Sequence, residues 1–248
     1  MTLSRANLFE TLSKLWCLNK KQRKYAILIG PSYQSSLKLN STYNDINNIN
    51  NLLINLMDYK KENIYILTDN KIIPTKTNII KKLKEIIKLI KPNDYLFFYF
   101  TGHGIKNGLV TEDEQLILNY ELKNVINLLP KKIHFFSLID CCHSDNKFKF
   151  NYYYLKKWVT VKKYNKTNEK YFLLSACTKD ETTLEMKINN EYHSFITKLF
   201  VKFITLNPNI AWIDLFNYLN LNILINNYKQ HPMFSSTFIF DLKTKVYF

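Results

Sequence analysis

The chain has 248 residues, 46% hydrophobic and 22% charged, so it is long and apolar enough to fold around a substantial core. Only four glycines and six prolines exclude collagen-like and low-complexity architectures, and no apolar run approaches the roughly 18–20 residues of a membrane-spanning helix. The formal net charge of +15 permits an anionic partner, but it accompanies no nucleic-acid-binding motif, so no nucleic-acid partner is expected.

The four cysteines, Cys17, Cys141, Cys142 and Cys177, form one adjacent pair and two distant singles. This spacing fits neither a disulfide framework nor a zinc site. The N-terminal stretch carries Glu10 in its middle and lacks the apolar core of a secretory signal. Both observations predict a reducing compartment, the cytoplasm.

Residues 1–22 are predicted to be an N-terminal extension, and residues 23–248 the main domain. The extension has apolar side chains at helical spacing, at Leu8, Leu12 and Leu15. This spacing predicts a short amphipathic helix docked on the domain.

From Lys24 onward, strand-like and helix-like segments alternate, which is typical of a parallel α/β sheet. Strands are predicted at 25–30, 63–68, 95–100, 134–139, 171–175 and 236–242. Helices are predicted at 44–57, 77–90, 192–205 and 211–227. The expected fold is therefore α/β, a three-layer sandwich with a mostly parallel six-stranded sheet flanked by helices.

The segment 146–170 departs from this alternation because it is crowded with lysine and aromatic residues. Residues 152–154 and 158–161 could form an extra hairpin; otherwise the segment is an exposed loop. Interleaved basic and aromatic residues can bind single-stranded nucleic acid. A half-buried hairpin or loop with solvated lysines is the favoured interpretation.

Polar residues follow two of the predicted strands. Thr-Gly-His-Gly at 101–104 follows the third, and Asp-Cys-Cys-His-Ser at 140–144 follows the fourth. The carboxyl ends of parallel strands open into one crevice, where His103 can meet a cysteine and make its thiolate available. Either residue alone has a simpler explanation, as a hydrogen-bonded histidine or a small buried cysteine. Their occurrence together at the two expected strand ends indicates a thiol-based active site.

These two segments resemble the signature of the metacaspases, the caspase-like cysteine peptidases of clan CD and peptidase family C14. The family has [YF]-[ST]-G-H-G and later D-x-C-H-S-G; this chain has FTGHG at 100–104 and DCCHSD at 140–145. The likeness covers about residues 22–245. It includes YND at 43–45, SACTKDETT at 175–183 and QHP at 230–232.

The resemblance implies a caspase-like fold and a cysteine endopeptidase. Cys142 would be the nucleophile that forms a thioester acyl-enzyme, and His103 the general base and acid. Gly104 and Cys142 would supply the N–H donors of the oxyanion hole. Substrates would be proteins or peptides, and a monomer is expected because family members generally act as monomers.

The resemblance also implies cleavage after Arg or Lys. The basic P1 side chain would bind between Asp45 and Asp140, with Thr101 beside this pocket. The chemistry agrees, because two carboxylates in one pocket repel each other and a cation relieves that cost. For Asp45 alone, an acid at a helix N-terminus is the competing explanation.

Several positions depart from the family pattern. Asp145 stands in place of a glycine, although Asp accepts left-handed backbone angles better than most residues. The acidic loop is shortened to TEDE at 111–114, and Ca²⁺ needs 6–8 oxygens, so no cofactor is required and calcium activation is doubtful. The small Gly-Ala pair is missing around 193–195. The metal ligands, if any, are unknown, and the alternative function is an inactive caspase-fold interaction module.

Self-cleavage within 146–170 is a further hypothesis, because this segment follows the nucleophile and related enzymes often cut themselves there. Its possible P1 residues are Lys147, Lys149, Lys156, Lys157, Lys162, Lys163 and Lys166.

Overall fold

The computed structural model describes residues 22–34, 37–161 and 169–248, so the predicted N-terminal helix lies outside the described residues. The strands among them are β1 (Lys24–Gly30), β2 (Ile64–Thr68), β3 (Tyr95–Thr101), β4 (Gly104–Ile105), β5 (Gly108–Val110), β6 (Leu116–Leu118), β7 (His134–Asp140), β8 (Tyr152–Tyr154), β9 (Trp158–Thr160), β10 (Lys170–Ser175), β11 (Glu185–Ile188), β12 (Glu191–Ser194) and β13 (Met233–Ser236). The α-helices are α1 (Thr42–Asn55), α2 (Lys76–Leu89), α3 (Asn119–Ile126), α4 (Phe195–Leu206) and α5 (Trp212–Ile225).

The central sheet has the strand order β2-β1-β3-β7-β10-β13-β8-β9. Its first five strands are parallel, and the last three run antiparallel to their neighbours. The mostly parallel α/β prediction is confirmed. The predicted count of six strands is wrong, because the hairpin β8–β9 adds two strands by pairing with β13.

The sheet is buried on both faces, which explains the near-continuous apolar strands. Ile27 and its like-facing neighbours pack against α2 and α3. Leu28 and its like-facing neighbours pack against α1, α4 and α5. Because successive side chains of a strand point to opposite faces, one apolar run supplies both cores. The result is the predicted three-layer sandwich.

Two predicted elements are wrong in extent. The last strand is β13, not 236–242; Thr237 N–H bonds to the Tyr171 carbonyl, and the chain then turns away from the sheet. The apolar residues after Ser236 do not continue the sheet. The Leu242 carbonyl accepts a hydrogen bond from an N–H in the first turn of α5. The third predicted helix, 192–205, begins at Phe195 rather than 192, because β12 pairs with β11 as a hairpin.

Candidate active site

The register of two adjacent strands brings the predicted histidine and cysteine together. β3 and β7 are parallel, and Thr101 pairs with Asp140 at their carboxyl ends. The Gly102 N–H donates to the Asp140 carbonyl at 3.2 Å. His103 and Cys142 each lie two residues beyond this paired position, so both leave the sheet at the same edge on neighbouring strands.

His103 is held by its ring and by its backbone. Its ring Nε2 lies 2.6 Å from the Leu37 carbonyl oxygen, which can only accept a hydrogen bond. Nε2 therefore carries the ring proton, and Nδ1 of the neutral imidazole keeps a lone pair. The His103 backbone N–H donates to the Tyr33 hydroxyl at 2.8 Å, and the two rings lie 4.7 Å apart. This tautomer is able to take a proton through Nδ1.

Three cysteines are described, and all are free thiols. Cys141 and Cys177 are buried, and burial raises the pKa of Cys141 well above its usual range and that of Cys177 to about 11. Cys142 is half-buried, and its Sγ lies 3.9 Å from the Thr183 hydroxyl. Cys142 is therefore the accessible thiol among the three.

The turn after Cys142 does not require a glycine at position 145. Left-handed φ angles occur at His143, with φ 52°, and at Asn146, with φ 30°, but not at Asp145. His143 is fixed in this conformation, because its N–H donates to the Glu181 carbonyl at 2.9 Å and its Nδ1 lies 2.6 Å from the Lys179 carbonyl oxygen. Asp145 therefore carries no left-handed strain at the position where the family has glycine.

Gly104 lies against the cysteine loop. A Cβ atom there would lie 2.5 Å from the Cys142 carbonyl oxygen and would also overlap the Cys141 sulfur, so only glycine fits. In the β4–β5 pairing, Val110 N–H donates to the His103 carbonyl at 3.0 Å. Gly104 is thus at a non-hydrogen-bonded position of this pairing, and its N–H points away from β5.

Asp45 and Asp140 are both buried, at 0% and 2% exposure. Asp45 Oδ2 accepts from Ser194 N–H at 2.9 Å, and Asp140 Oδ2 accepts from the N–H and hydroxyl of Thr197 at 2.9 and 2.7 Å. The other oxygen of each carboxylate, Oδ1, is buried without a hydrogen-bond partner among the described residues. Buried carboxylate oxygens without a donor are costly, so both have unused capacity to bind a cation.

Burial controls the protonation of these two acids. It raises the pKa of Asp140 to about 7; the nearby charge of Asp45 adds to the rise, and the hydrogen bonds from Thr197 oppose it. Burial also raises the pKa of Asp45, with opposition from His193 and Ser194. A cation between the two carboxylates would relieve both the desolvation and the repulsion.

Hydroxyl side chains surround these carboxylates. Thr101 Oγ1 lies 3.3 Å from Ser194 Oγ, which lies 3.1 Å from Ser41 Oγ. Thr197 bonds Asp140 and also lies 2.8 Å from the Tyr99 hydroxyl. The sequence prediction includes Thr101 but misses Ser194 and Thr197, since nothing local in the sequence marks them as polar neighbours of distant acids.

The carboxylates of the shortened acidic loop accept hydrogen bonds from other groups of the chain. Glu112 accepts from the backbone N–H groups of Tyr33 and Gln34 at 2.8 and 3.2 Å. Asp113 accepts from the Thr111 hydroxyl at 2.5 Å. Across residues 22–34, 37–161 and 169–248, no group of three or more His, Cys, Asp or Glu side chains is arranged to hold a metal ion. In the same residues, no helix is long and apolar enough to cross a bilayer.

Lys147 differs from the sequence expectation. It is fully buried, and its ammonium donates to the carbonyls of Ile105 and Gly108 in the β4–β5 turn. The bond after Lys147 is therefore shielded in the folded chain, which argues against Lys147 as a P1 residue. Lys156 and Lys157 are exposed at the tip of the β8–β9 hairpin. Lys162, Lys163 and Lys166 lie outside the described residues.

Comparison with known proteins identifies the family of this chain. The family model of the caspase domain, Peptidase C14, matches residues 23–243. Metacaspase-1 of Meyerozyma guilliermondii is 25% identical over 92% of this chain and 72% of its own length, and Metacaspase-1 of Candida albicans is 24% identical over 93% and 68%.

A shorter alignment and a solved structure complete the comparison. Metacaspase-1 of Eremothecium gossypii is 33% identical over 54% of this chain, which spans 34% of that relative's length. Protein GSU0716 from Geobacter sulfurreducens shares the fold, with a TM-score of 0.66, 12% identity, and coverage of 90% of this chain and 98% of that one. The chain therefore belongs to the caspase-domain family of cysteine peptidases, peptidase family C14, and is of the metacaspase type.

Proposed function

We propose that the chain is an endopeptidase that cleaves proteins and peptides after Arg or Lys, with Cys142 as nucleophile and His103 as general base and acid. The observation that carries this proposal is the Thr101–Asp140 register, because it aligns His103 and Cys142 at neighbouring strand ends. A histidine whose Nε2 proton is bonded to a carbonyl, and an accessible thiol just after the neighbouring strand, are the groups that a nucleophile–base pair requires.

In this mechanism, His103 Nδ1 takes the thiol proton of Cys142, and the thiolate attacks the carbonyl carbon of the scissile bond. The N–H groups of Gly104 and Cys142 donate to the resulting oxyanion. The C–N bond then breaks, the amine leaves with the proton from His103, and a thioester remains on Cys142. His103 next deprotonates a water molecule that hydrolyses the thioester, which releases the acid product and restores the thiol.

The proposed P1 preference rests on the unpartnered Oδ1 atoms of Asp45 and Asp140. A guanidinium has five donors in a planar fork, and an ammonium has three, so either can satisfy two carboxylate oxygens. Thr101, whose hydroxyl belongs to the same hydroxyl network, would line the pocket. An acidic P1 side chain would instead add a third negative charge to a buried site.

The test is hydrolysis of short fluorogenic peptides ending in Arg, Lys or Asp, under reducing conditions, with and without calcium. We expect cleavage after Arg and Lys without calcium, and no cleavage by Cys142→Ala or His103→Ala. Cys17→Ala, which lies outside the family match of residues 23–243, is the matched control and should remain active. Cleavage after Asp would contradict the proposed roles of Asp45 and Asp140 but would still support Cys142 as the nucleophile.

The alternative function, a caspase-fold interaction module without turnover, predicts no cleavage by folded protein under any of these conditions. The structure weakens the main sequence argument for it, because Asp145 lies outside the left-handed region. We also propose that any self-cleavage uses exposed lysines such as Lys156 and Lys157 rather than Lys147. Mass spectrometry of incubated protein would identify the cleaved bonds, and a cut after Lys147 would contradict this.

A further inference from the structure

A histidine lies beside one of the two proposed specificity carboxylates. His193 lies in β12, next to its last residue Ser194, and is only 2% exposed. Its Nδ1 lies 3.7 Å from Asp45 Oδ1, the carboxylate oxygen that has no hydrogen-bond partner among the described residues. This distance is an electrostatic contact rather than a full hydrogen bond. Asp45 Oδ1 therefore lies in electrostatic contact with the ring and can still accept a hydrogen bond from a second donor.

The groups around the ring determine which nitrogen carries its proton. Lys198 Nζ on α4 lies 3.2 Å from His193 Nε2, and an ammonium has only protons to give. Nε2 must therefore accept, which leaves the ring proton on Nδ1, directed at Asp45. Asn48 Nδ2 on α1 lies 3.3 Å from Nδ1. Because the two ends of a carboxamide exchange places in a half-turn, Asn48 can instead direct its Oδ1 at the same proton.

Glu191 and Met186 are two further neighbours of the ring, and only Glu191 is charged. Glu191 Oε2 lies 3.5 Å from Nε2 but is largely exposed, so solvent screens it. Met186 of β11 pairs with His193 and brings no charge. The Lys198 ammonium can only donate, so the ring faces Asp45 with its Nδ1–H.

This arrangement distinguishes the two buried acids. Asp140 has hydroxyl and amide donors but no imidazole, and burial raises its pKa to about 7. Asp45 is also fully buried, but His193 and Ser194 oppose the rise of its pKa. A cationic substrate side chain needs at least one ionised carboxylate in the pocket, and Asp45 is the one with a dedicated partner for its charged form.

We propose that His193 is a positioning residue that sets P1 specificity: its Nδ1–H keeps Asp45 ionised and oriented so that Oδ1 receives the substrate's guanidinium or ammonium. The inference rests on the proposed function, because it concerns the same pocket. It adds a residue outside the nucleophile–base pair on which selection of a cationic side chain depends.

The experiment compares wild type, His193→Leu and His193→Asn on an Arg peptide between pH 5.5 and 9. Without the Nδ1–H, the pKa of Asp45 rises, so Asp45 is more protonated near pH 7. For His193→Leu we expect KM to rise severalfold at pH 7, because a smaller fraction of Asp45 is ionised there, and to recover at higher pH, with kcat nearly unchanged. His193→Asn retains an N–H near the Nδ1 position and should restore most of the affinity.

Controls separate this inference from the proposed function. His134→Leu removes a histidine at the opposite end of β7 and should leave the KM profile unchanged. Binding of agmatine, a small guanidinium, to the Cys142→Ala protein by calorimetry gives a readout without turnover, and adding His193→Leu should weaken it severalfold at pH 7.

The outcomes are distinct. Wild-type protein that neither cleaves Arg peptides nor binds agmatine would overturn the proposed pocket itself. Wild-type cleavage with an unchanged KM–pH profile in His193→Leu would overturn only the role of His193. If His193→Leu does not fold, Lys198→Met decides. Without the ammonium, Nε2 no longer has to accept, Glu191 can draw the ring proton to Nε2, and Asp45 loses the Nδ1–H, so KM for the Arg peptide should rise at pH 7. An unchanged KM in that variant would also overturn the inference.

Discussion

Asp140 connects protonation to substrate choice at the scale of a single residue. Its pKa is raised to about 7 by burial, so below that pH the side chain is mostly neutral and attracts no cation. We expect KM for Arg and Lys peptides to fall as pH rises through about 7. Asp140→Asn should lose this dependence and most of the preference for Arg, while Asp241→Asn, at an exposed site, should keep both. A KM that is flat across pH 5.5–8.5 in wild type would contradict the assignment.

The same residue affects the stability of the fold. Burial raises its pKa from the ordinary value of 3.8 to about 7, so between these pH values the folded chain holds a proton that the unfolded chain releases. The free energy of unfolding therefore falls as pH rises from about 4 to about 7. We expect Asp140→Asn to raise Tm at pH 8 and to change it little at pH 5. Equal Tm differences at both pH values would show that Asp140 does not titrate in this window.

At the scale of elements, one buried lysine joins the two loops of the site. Lys147 follows the nucleophile loop and donates to the carbonyls of Ile105 and Gly108, in the turn after His103. Lys147→Met keeps the length of the side chain but leaves two buried carbonyls without this donor. We expect a loss of about 1–3 kcal/mol in stability and a lower kcat with little change in KM.

Denaturant unfolding and steady-state kinetics measure these two effects. Lys149→Met is the matched control, since Lys149 lies in the same segment and is exposed. If Lys147→Met lowered stability but left kcat unchanged, the lysine would support the fold without aligning the loops.

The elements that the sequence predicts well are those whose signals are local. The apolar runs of β1, β3 and β7 and the polar residues at the ends of β3 and β7 need no knowledge of distant contacts. The β11–β12 hairpin was missed because, in the described part of the chain, its strands pair only with each other and its residues are mixed in polarity. His193 and Ser194 therefore could not be linked to Asp45, which lies on α1 far away in the chain.

The end of the chain shows the opposite error. Residues 236–242 contain a short apolar run like that of a strand, but β13 ends at Ser236, and Phe240 and Leu242 join the core beside α5 instead. A short apolar run reports only that a segment is buried. It does not say whether the burial is against a neighbouring strand or a helix.

At the scale of the whole molecule, one chain supplies every group of the proposed site. Asp45 comes from α1, His103 and Cys142 from the ends of β3 and β7, and Ser194 from β12. No residue from a second copy is needed, so we expect activity per chain to stay constant on dilution and sedimentation to show a monomer. A specific activity that falls on dilution would indicate that assembly completes the site.

The position of His103 has a consequence for which sequence changes the site tolerates. Its ring is oriented by a main-chain oxygen at position 37, and every amino acid provides that oxygen. Replacing the Leu37 side chain should therefore have little effect on the orientation of His103. Adding or deleting one residue between Tyr33 and Ser41 would instead move the carbonyl oxygen that accepts from its ring. In this segment, length is under stronger constraint than identity, which is the opposite of what holds at Gly104.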